Sequence, residues 1–382
     1  MILEKLGLSH GDERVAILVG PNGSGKSNFL KSIATEARQY RDVVVVSNTT
    51  HDRFAGMRGI DRLSAGRGGQ SPKSIIKASV ARTIDDGSSL FYQVGLILEY
   101  CGYAPRIGFR VFPRWLRPLG QEKDLPADSA ELQIALAFLE RYPSREIIWI
   151  DQYGSHLDFS RGREFAAVLR NEEILVRTRM LSKPTEVFLE KGGEIIELKS
   201  ASSGELALIS SLVFLITNNR PKPLVLIDEP ENSLHPVWQR DYISRVLTAL
   251  EYRNASIVIA THAPLIVTGA LAAFKNVVSV YQMRSALPEP LSLMVASAGG
   301  SSIEEILWRA FEVITPANHF VSAELMDLVS KVEGGDVSKQ AAMNIVKTMR
   351  AESFDDQQQR FLNAVGELIE KITGRVDEAE NG

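Results

Sequence analysis

Cysteine is almost missing from this sequence: Cys101 is the only one in 382 residues. A lone thiol forms no intrachain disulfide, so the fold must rest on its own core, and the usage suits a reducing, cytoplasmic setting. Long apolar runs are missing too. No stretch approaches the ~20 residues that a membrane-spanning helix needs, and no secretion leader opens the chain. No membrane partner is expected. Neither charge sign dominates: 43 Lys and Arg stand against 47 Asp and Glu, a formal net charge of −4. That excludes a surface coated all round in cationic charge for nucleic acid, but not a local basic groove. Internal repeats and low-complexity tracts are absent. Only the Gly/Ser stretch 65–71 and the acidic tail 377–382 read as loose. The length allows two or three structural units.

What is present is concentrated in a few short segments. Residues 224–236 read LVLIDEPENSLHP. Leu224, Val225, Leu226 and Ile227 form the unbroken apolar run of a strand buried on both faces, as in a parallel sheet. It ends in Asp228 and Glu229, and Pro230 cannot continue it. Ligands of such sheets bind beyond the carboxyl ends of the strands. Adjacent strand side chains point opposite ways, so one acid can hold a metal shell while its neighbour polarises a water. A solvated acid pair at a strand end is the plainer alternative.

Val15 to Val19 is another apolar run, and Gly20-Pro21-Asn22-Gly23-Ser24-Gly25-Lys26-Ser27 follows it. Asn28 to Ile33 then carries helical spacing. Strand, glycine loop and helix are the setting of a phosphate-binding loop, with backbone N–H groups around the phosphates, Lys26 as a point charge and Ser27 facing Mg²⁺. Asp42 to Thr49 predicts a second buried strand, whose polar end should lie near the same edge. His51, Asp52 and Arg53 read as loop residues. Ser202, Ser203, Gly204 and Glu205 precede the nearly all-apolar run 206–216, which predicts a buried helix capped by the serines. The N-terminus of such a helix attracts phosphate. Ser256 to Ala260 predicts a further buried strand, closed by Thr261-His262-Ala263-Pro264. A histidine there is either structural or a group that meets a γ-phosphate or its attacking water. His235 reads as a loop contact.

Between these segments, helices are predicted at 88–103, 130–142 and 159–169, a strand at 147–151, and a hairpin around Gly192-Gly193. Asp151 reads as structural. Arg106, Arg110, Arg114 and Arg117, interleaved with Phe109, Phe112 and Trp115, form either a phosphate-binding face or a protein-contact or solvated edge. Past Val280, helical spacing at 302–313, 323–332, 338–350 and 355–372 predicts a small cap or docking unit without a metal-ligand cluster.

GPNGSGKS, SSGE, LVLIDEPE with SLHP, and THAP, in that order, resemble the ABC-type ATPases, in the branch that holds the SMC and RecF-like repair proteins and the OLD-family nucleases. The resemblance covers roughly 2–48 and 186–280. It implies an α/β fold: an ABC-type P-loop NTPase core with a mostly parallel central sheet, an inserted helical and β middle region, and a small helical C-terminal domain. The expected divisions are 1–60, 61–185, 186–285 and 286–382. The cofactors implied are ATP and Mg²⁺. Gly20 through Asn28 would hold the phosphates, Ser27 and Asp228 the metal, Glu229 would be the general base and His262 the switch histidine. Ser202, Ser203, Gly204 and Glu205 would form the signature, with Ser203 and Gly204 on the γ-phosphate of the opposite subunit. Ser233-Leu234-His235 would link the two sites. The partner is then a second copy in a head-to-tail, ATP-sandwiched homodimer, or a higher oligomer. The glutamine such enzymes carry between loop and signature has Gln70, Gln93 and Gln152 as candidates, with Asn48 near its place.

Heptads for SMC arms are lacking, and so is the acidic metal domain of an OLD nuclease. What remains looks like the stand-alone ATPase of bacterial anti-phage systems of the Septu or retron-Septu type, in which an HNH nuclease is a separate chain. The expected activity is hydrolysis of ATP to ADP and phosphate, controlling that effector. Two alternatives stand beside it: a RecF-like repair ATPase that binds nucleic acid itself, and a weakly hydrolysing ATP-binding scaffold that restrains a toxin.

Overall fold

A computed structural model of the chain describes residues 3–8, 13–49, 51–64, 71–86, 90–114, 130–142, 146–151, 154–155, 159–218, 220–284, 286–291, 306–307, 309, 311, 319–352 and 362–370. In chain order the first elements are β1 (Arg14–Val19), α1 (Lys26–Ala37), β2 (Val43–Ser47), β3 (Asp61–Ser64), α2 (Pro72–Asp86), α3 (Leu90–Tyr100) and β4 (Arg106–Arg110). Next come α4 (Ala130–Arg141), β5 (Ile148–Asp151), β6 (Gly154–Ser155), α5 (Phe159–Arg170), α6 (Glu172–Arg177), β7 (Glu186–Lys191) and β8 (Glu194–Glu197). Then follow α7 (Ser203–Thr217), β9 (Leu224–Asp228), α8 (Pro236–Ala249), β10 (Ser256–Ala260), α9 (Pro264–Phe274), β11 (Val278–Arg284) and β12 (Leu287–Pro290). Two helices, α10 (His319–Glu333) and α11 (Lys339–Glu352), and a third at 362–370 close the described chain.

The fold is α/β. Seven strands form the main sheet in the order β12-β11-β1-β10-β9-β2-β3, parallel except for the edge pair β11–β12. Every residue of β2, β9 and β10 is buried, which is why these segments read as continuous apolar runs. Alternate side chains supply two cores. On one face Ala16, Leu18, Val45, Leu226 and Val258 pack under Leu30, Ile33 and Ala34 of α1. On the other, Ile17, Val44, Ile227 and Ile259 pack against Leu208 and Leu212 of α7 and Val246 of α8. Each buried Val, Leu or Ile among these contributes about 1.5–3 kcal/mol of burial.

The register decides where chemistry can occur. Asp228 lies opposite Ala260 on one side and Ser47 on the other, and Ala260 lies opposite Leu18. The four strands therefore end together. Residues just past them (Gly20, Asn48, Glu229 and His262) share one edge of the sheet.

The second sheet is antiparallel, β6-β5-β4-β7-β8. The β7–β8 hairpin around Gly192-Gly193 pairs through β7 with β4, so this sheet draws strands from both sides of residue 185. Asp151 ends β5 within it and does not line the cavity described below. Helix α7 is buried between the main sheet and α2 and α3, and so is apolar all round. Its last carbonyls are met by the buried Arg253 guanidinium, which donates to Leu215, Ile216 and Asn218. The C-terminal helices share a core of their own, including Leu325, Val346 and Ile369. Among the described residues, no helix is long and apolar enough to cross a membrane.

Candidate functional site

The glycine loop bridges β1 and α1. Gly20, Gly23 and Gly25 all have positive φ, and Gly25 at 95° is the N-cap of α1 without any side-chain cap. The first-turn N–H groups of α1 are thus free to bind an anion at the positive end of the helix. The Lys26 ammonium folds back to donate to the Gly20 and Pro21 carbonyls at 2.7 and 3.1 Å. Burial lowers its pKa, against the opposing pull of Glu229, Glu231 and Asp228.

One residue on, the Ser27 hydroxyl donates to Asp228 Oδ1 at 3.0 Å. Asp228 is fully buried and its Oδ2 has no partner. Burial pushes its carboxyl up to about 7, with Glu229 and Glu231 adding to the rise and Ser27 and Lys26 opposing it. A hydroxyl and an orphaned carboxylate oxygen at the phosphate loop form a hard-oxygen donor set, which fits Mg²⁺.

The chain then turns sharply. Glu229 and Ser233 both adopt left-handed backbone conformations, at φ 49° and 70°. The Asn232 amide donates at 3.1 Å to Glu229 Oε2 and at 3.1 Å to the Asn48 carbonyl, and the Asn48 backbone N–H donates to the Asp228 carbonyl. Asn48, at the end of β2, is therefore tied into the loop that carries Glu229. Glu231 turns away from the loop. Its Oε1 accepts the His262 backbone N–H at 2.7 Å.

A cavity of about 370 Å³ opens over these groups, lined by Asn22, Gly23, Gly25, Lys26, Ser27, Asn28, Arg53, Glu229 and His262. It holds phosphate-loop N–H groups, two cations, a carboxylate and an imidazole. That set can bind a polyphosphate and place a base beside it. Arg53 is the member that reading the sequence as a loop did not reveal. Asp52 holds its segment in place by accepting the Phe54 N–H at 2.8 Å and pairing with Arg62 at 2.5 Å. The end of β2 lies at the phosphate edge, as the sequence led one to expect, but the sequence did not show that the loop beyond it returns Arg53 to the cavity.

The SSGE segment stands apart from the cavity lining. Ser202 caps α7 through a reciprocal pair with Glu205, at 3.3 and 2.8 Å. Burial raises the Glu205 carboxyl, but bonds from Lys191, Ser202 and Tyr103 outweigh it and hold the pKa at about 2. Gly204 lies hard against the loop after β9: a Cβ there would sit 2.4 Å from the Ser233 carbonyl oxygen. His235 caps α8, its Nδ1 accepting from the Val237 N–H at 3.4 Å. Gln93 lies on α3 and does not line the cavity, while Gln70 and Gln152 fall outside the described residues. Of the basic stretch, Arg106 pairs with Glu190 and lies over Trp149, and Arg110 lies over Phe188. Trp115 and Arg117 are outside the described residues.

Residues 173–268 match a protein family described as "AAA domain, putative AbiEii toxin, Type IV TA system". The match spans Glu205, Asp228, Glu229 and His262 but not the glycine loop. No curated protein sequence matches the chain. Solved structures share low-level similarity. The ADP conformation of MJ1267, an ATP-binding cassette of an ABC transporter, is 17% identical over 79% of this chain and 85% of its own, with a TM-score of 0.30. The Smc head domain with an extended coiled coil, bound to the C-terminal domain of ScpA and derived from Pyrococcus furiosus, is 13% identical over 74% and 90%, at 0.29. VirB4 of Thermoanaerobacter pseudethanolicus is 12% identical over 71% and 77%, at 0.30. Scores at this level carry no functional weight, and the site stands on its own geometry.

Proposed function

We propose that this chain is an ABC-type ATPase that binds ATP in the cavity over the glycine loop and hydrolyses it to ADP and phosphate. The observation that carries the reading is the Ser27–Asp228 hydrogen bond, which joins the phosphate loop to the acidic strand end beside Glu229 and His262. The α1 N-terminus, Lys26 and Arg53 counter the phosphate charge. Ser27 and Asp228 are the residues that would hold Mg²⁺, which when bound supplies further charge neutralisation at the phosphates. Glu229, held by Asn232, accepts or orients the proton of the attacking water. His262 is the second polar group on that side of the cavity. Water attacks in line, and positioning and charge stabilisation do most of the work.

The finer reading is an ATPase that pairs head to tail on ATP and controls a separate effector, a nuclease of HNH type, in anti-phage defence. Its support is the motif set quoted above and the toxin–antitoxin wording of the matching family, not the cavity itself.

Steady-state phosphate release by the purified chain with Mg²⁺ tests the activity. Hydrolysis that disappears in Lys26→Ala supports it. A wild-type chain that binds no ATP overturns it. Co-purification of an HNH nuclease chain from a co-expressing strain, with phage plating before and after Lys26→Ala, tests the effector role.

A further inference from the structure

Oε2 of Glu231 and Nδ1 of His262, both buried beside the candidate site, have no hydrogen-bond partner. They belong to neighbours. The other oxygen of Glu231 accepts the His262 backbone N–H at 2.7 Å and stands 3.1 Å from Nδ1, close in length but not aligned as a bond to the ring. A buried polar atom without a partner costs about 1–3 kcal/mol. The Glu231 side chain is only 5% exposed, so it cannot turn to water, whereas the imidazole is 39% exposed and borders the cavity. A small rotation of the ring or the carboxylate satisfies both atoms at once.

We propose that Glu231 is a positioning residue for His262, fixing the neutral imidazole in its Nδ1–H tautomer and presenting Nε2 to the cavity as an acceptor. The functional meaning rests on the ATPase reading above; the geometry does not. A carboxylate only accepts, so the ring nitrogen facing it must donate, and the other nitrogen then carries the lone pair. A phosphate oxygen is also an acceptor and does not complement that lone pair, but a water proton does. The neutral ring therefore works with Glu229 on the water, not on the phosphate. This also separates the two glutamates of the loop after β9: Glu229 faces the cavity, and Glu231 acts through His262.

Long-range ¹H–¹⁵N spectra of the full chain with labelled histidine read the tautomer directly. Six histidines are present, and the signal lost in His262→Gln assigns the ring. At a pH where the ring is neutral, the wild type is expected to show the Nδ1–H pattern. Glu231→Gln keeps an oxygen for the backbone N–H but turns an NH₂ toward Nδ1, so the ring is expected to switch to Nε2–H. Glu231→Asp, still acceptor-only, should keep Nδ1–H. In turnover, Glu231→Gln should lower kcat about tenfold or more, part of the roughly 10²–10⁴ that a positioned acid–base group contributes, and leave KM within about twofold. A wild-type ring in the Nε2–H form, or a Glu231→Gln ring that stays Nδ1–H, overturns the proposal, and the wild-type spectrum decides even if the variant fails to fold. So does a Glu231→Gln enzyme that loses KM and keeps kcat. Failure of the ATPase reading shows separately, as a wild-type chain without hydrolysis whose ring still responds to Glu231.

Discussion

Ser27 and Asp228 are 201 residues apart in the chain, and the serine hydroxyl donates to the aspartate at 3.0 Å. The contact follows from sheet order. Ser27 opens the helix after β1, Asp228 ends β9, and β10 lies between the two strands with its last residue level with Asp228. Parallel strands ending in register deliver a hydroxyl and a carboxylate to one point. That point costs stability, because the carboxylate is buried with one oxygen unpartnered.

Asp228→Asn should therefore stabilise the protein without nucleotide or Mg²⁺ while abolishing Mg²⁺-dependent hydrolysis. The folded carboxyl sits near 7, above its ordinary value of 3.8. Between these values the folded chain holds a proton that the unfolded chain has released, so stability falls as pH rises through that window. Above it the penalty is complete. The variant should gain on the order of 2 kcal/mol at pH 8 and little at pH 4. Thermal melts at the two pH values check this, and a variant that melts below wild type at pH 8 contradicts it.

Glu229→Gln should bind ATP as wild type does and hydrolyse it about a hundredfold more slowly or worse, since an amide cannot act as base. Asn232→Ala should produce a weaker form of the same defect. It removes the donor that holds Glu229 Oε2 and the link to the Asn48 carbonyl, but leaves the carboxylate in place. Single-turnover rates with saturating ATP distinguish the two. Equal rates in Glu229→Gln and wild type would move the base elsewhere.

Arg53→Ala should weaken ATP binding by about tenfold, the scale of one charge-assisted contact to phosphate. Its effect on ADP should be smaller if the guanidinium meets the terminal phosphate. Asp52→Ala should mimic it in part, because Asp52 holds the segment through the Phe54 N–H and Arg62. Calorimetry with ATP and ADP makes the comparison. Unchanged affinity for both nucleotides would leave Arg53 as a rim residue only.

The parts of this site that could be read in the sequence are those whose chemistry is local. Gly20 to Ser27 declare themselves because a loop, its lysine and its serine are contiguous. Leu224 to Asp228 do so because a strand buried on both faces can carry no polar residue until it ends. The N-cap Ser202 with Glu205 three residues later is likewise a local signal, and the capping pair is present. What could not be read depends on pairings at long range. The strand β4 was hidden in a run that looked like a basic patch, because Arg106 and Arg110 flank a core of Ile107 and Phe109 and find their partners on β7 and β5 neighbours. Arg53 and Glu231 gain roles only once β2, β9 and β10 are set side by side.

Two chains paired head to tail would share the site. Ser203 and Gly204 begin α7 outside the lining of the cavity, and Gly204 is already packed against Ser233 of its own chain. Ser203 is exposed. A helix N-terminus of this kind favours an anion, and a head-to-tail pair with two-fold symmetry would set it over the partner's phosphates. Under that arrangement Ser203→Arg leaves the glycine loop intact, so each chain still binds ATP, but the bulky side chain keeps the helix end from the γ-phosphate and hydrolysis stops. Lys26→Ala fails for the opposite reason, with an intact α7 and a loop that no longer holds nucleotide. Neither variant should turn over ATP alone. In a mixed pair, one interface joins the intact loop of the Ser203→Arg chain to the intact α7 of the Lys26→Ala chain, so about one working site per mixed dimer is expected. Phosphate release across mixing ratios should then rise above both pure variants and peak near equal amounts. If mixed dimers form, as seen by two affinity tags, and activity never exceeds the sum of the two variants, the shared site is ruled out and each chain must complete its own.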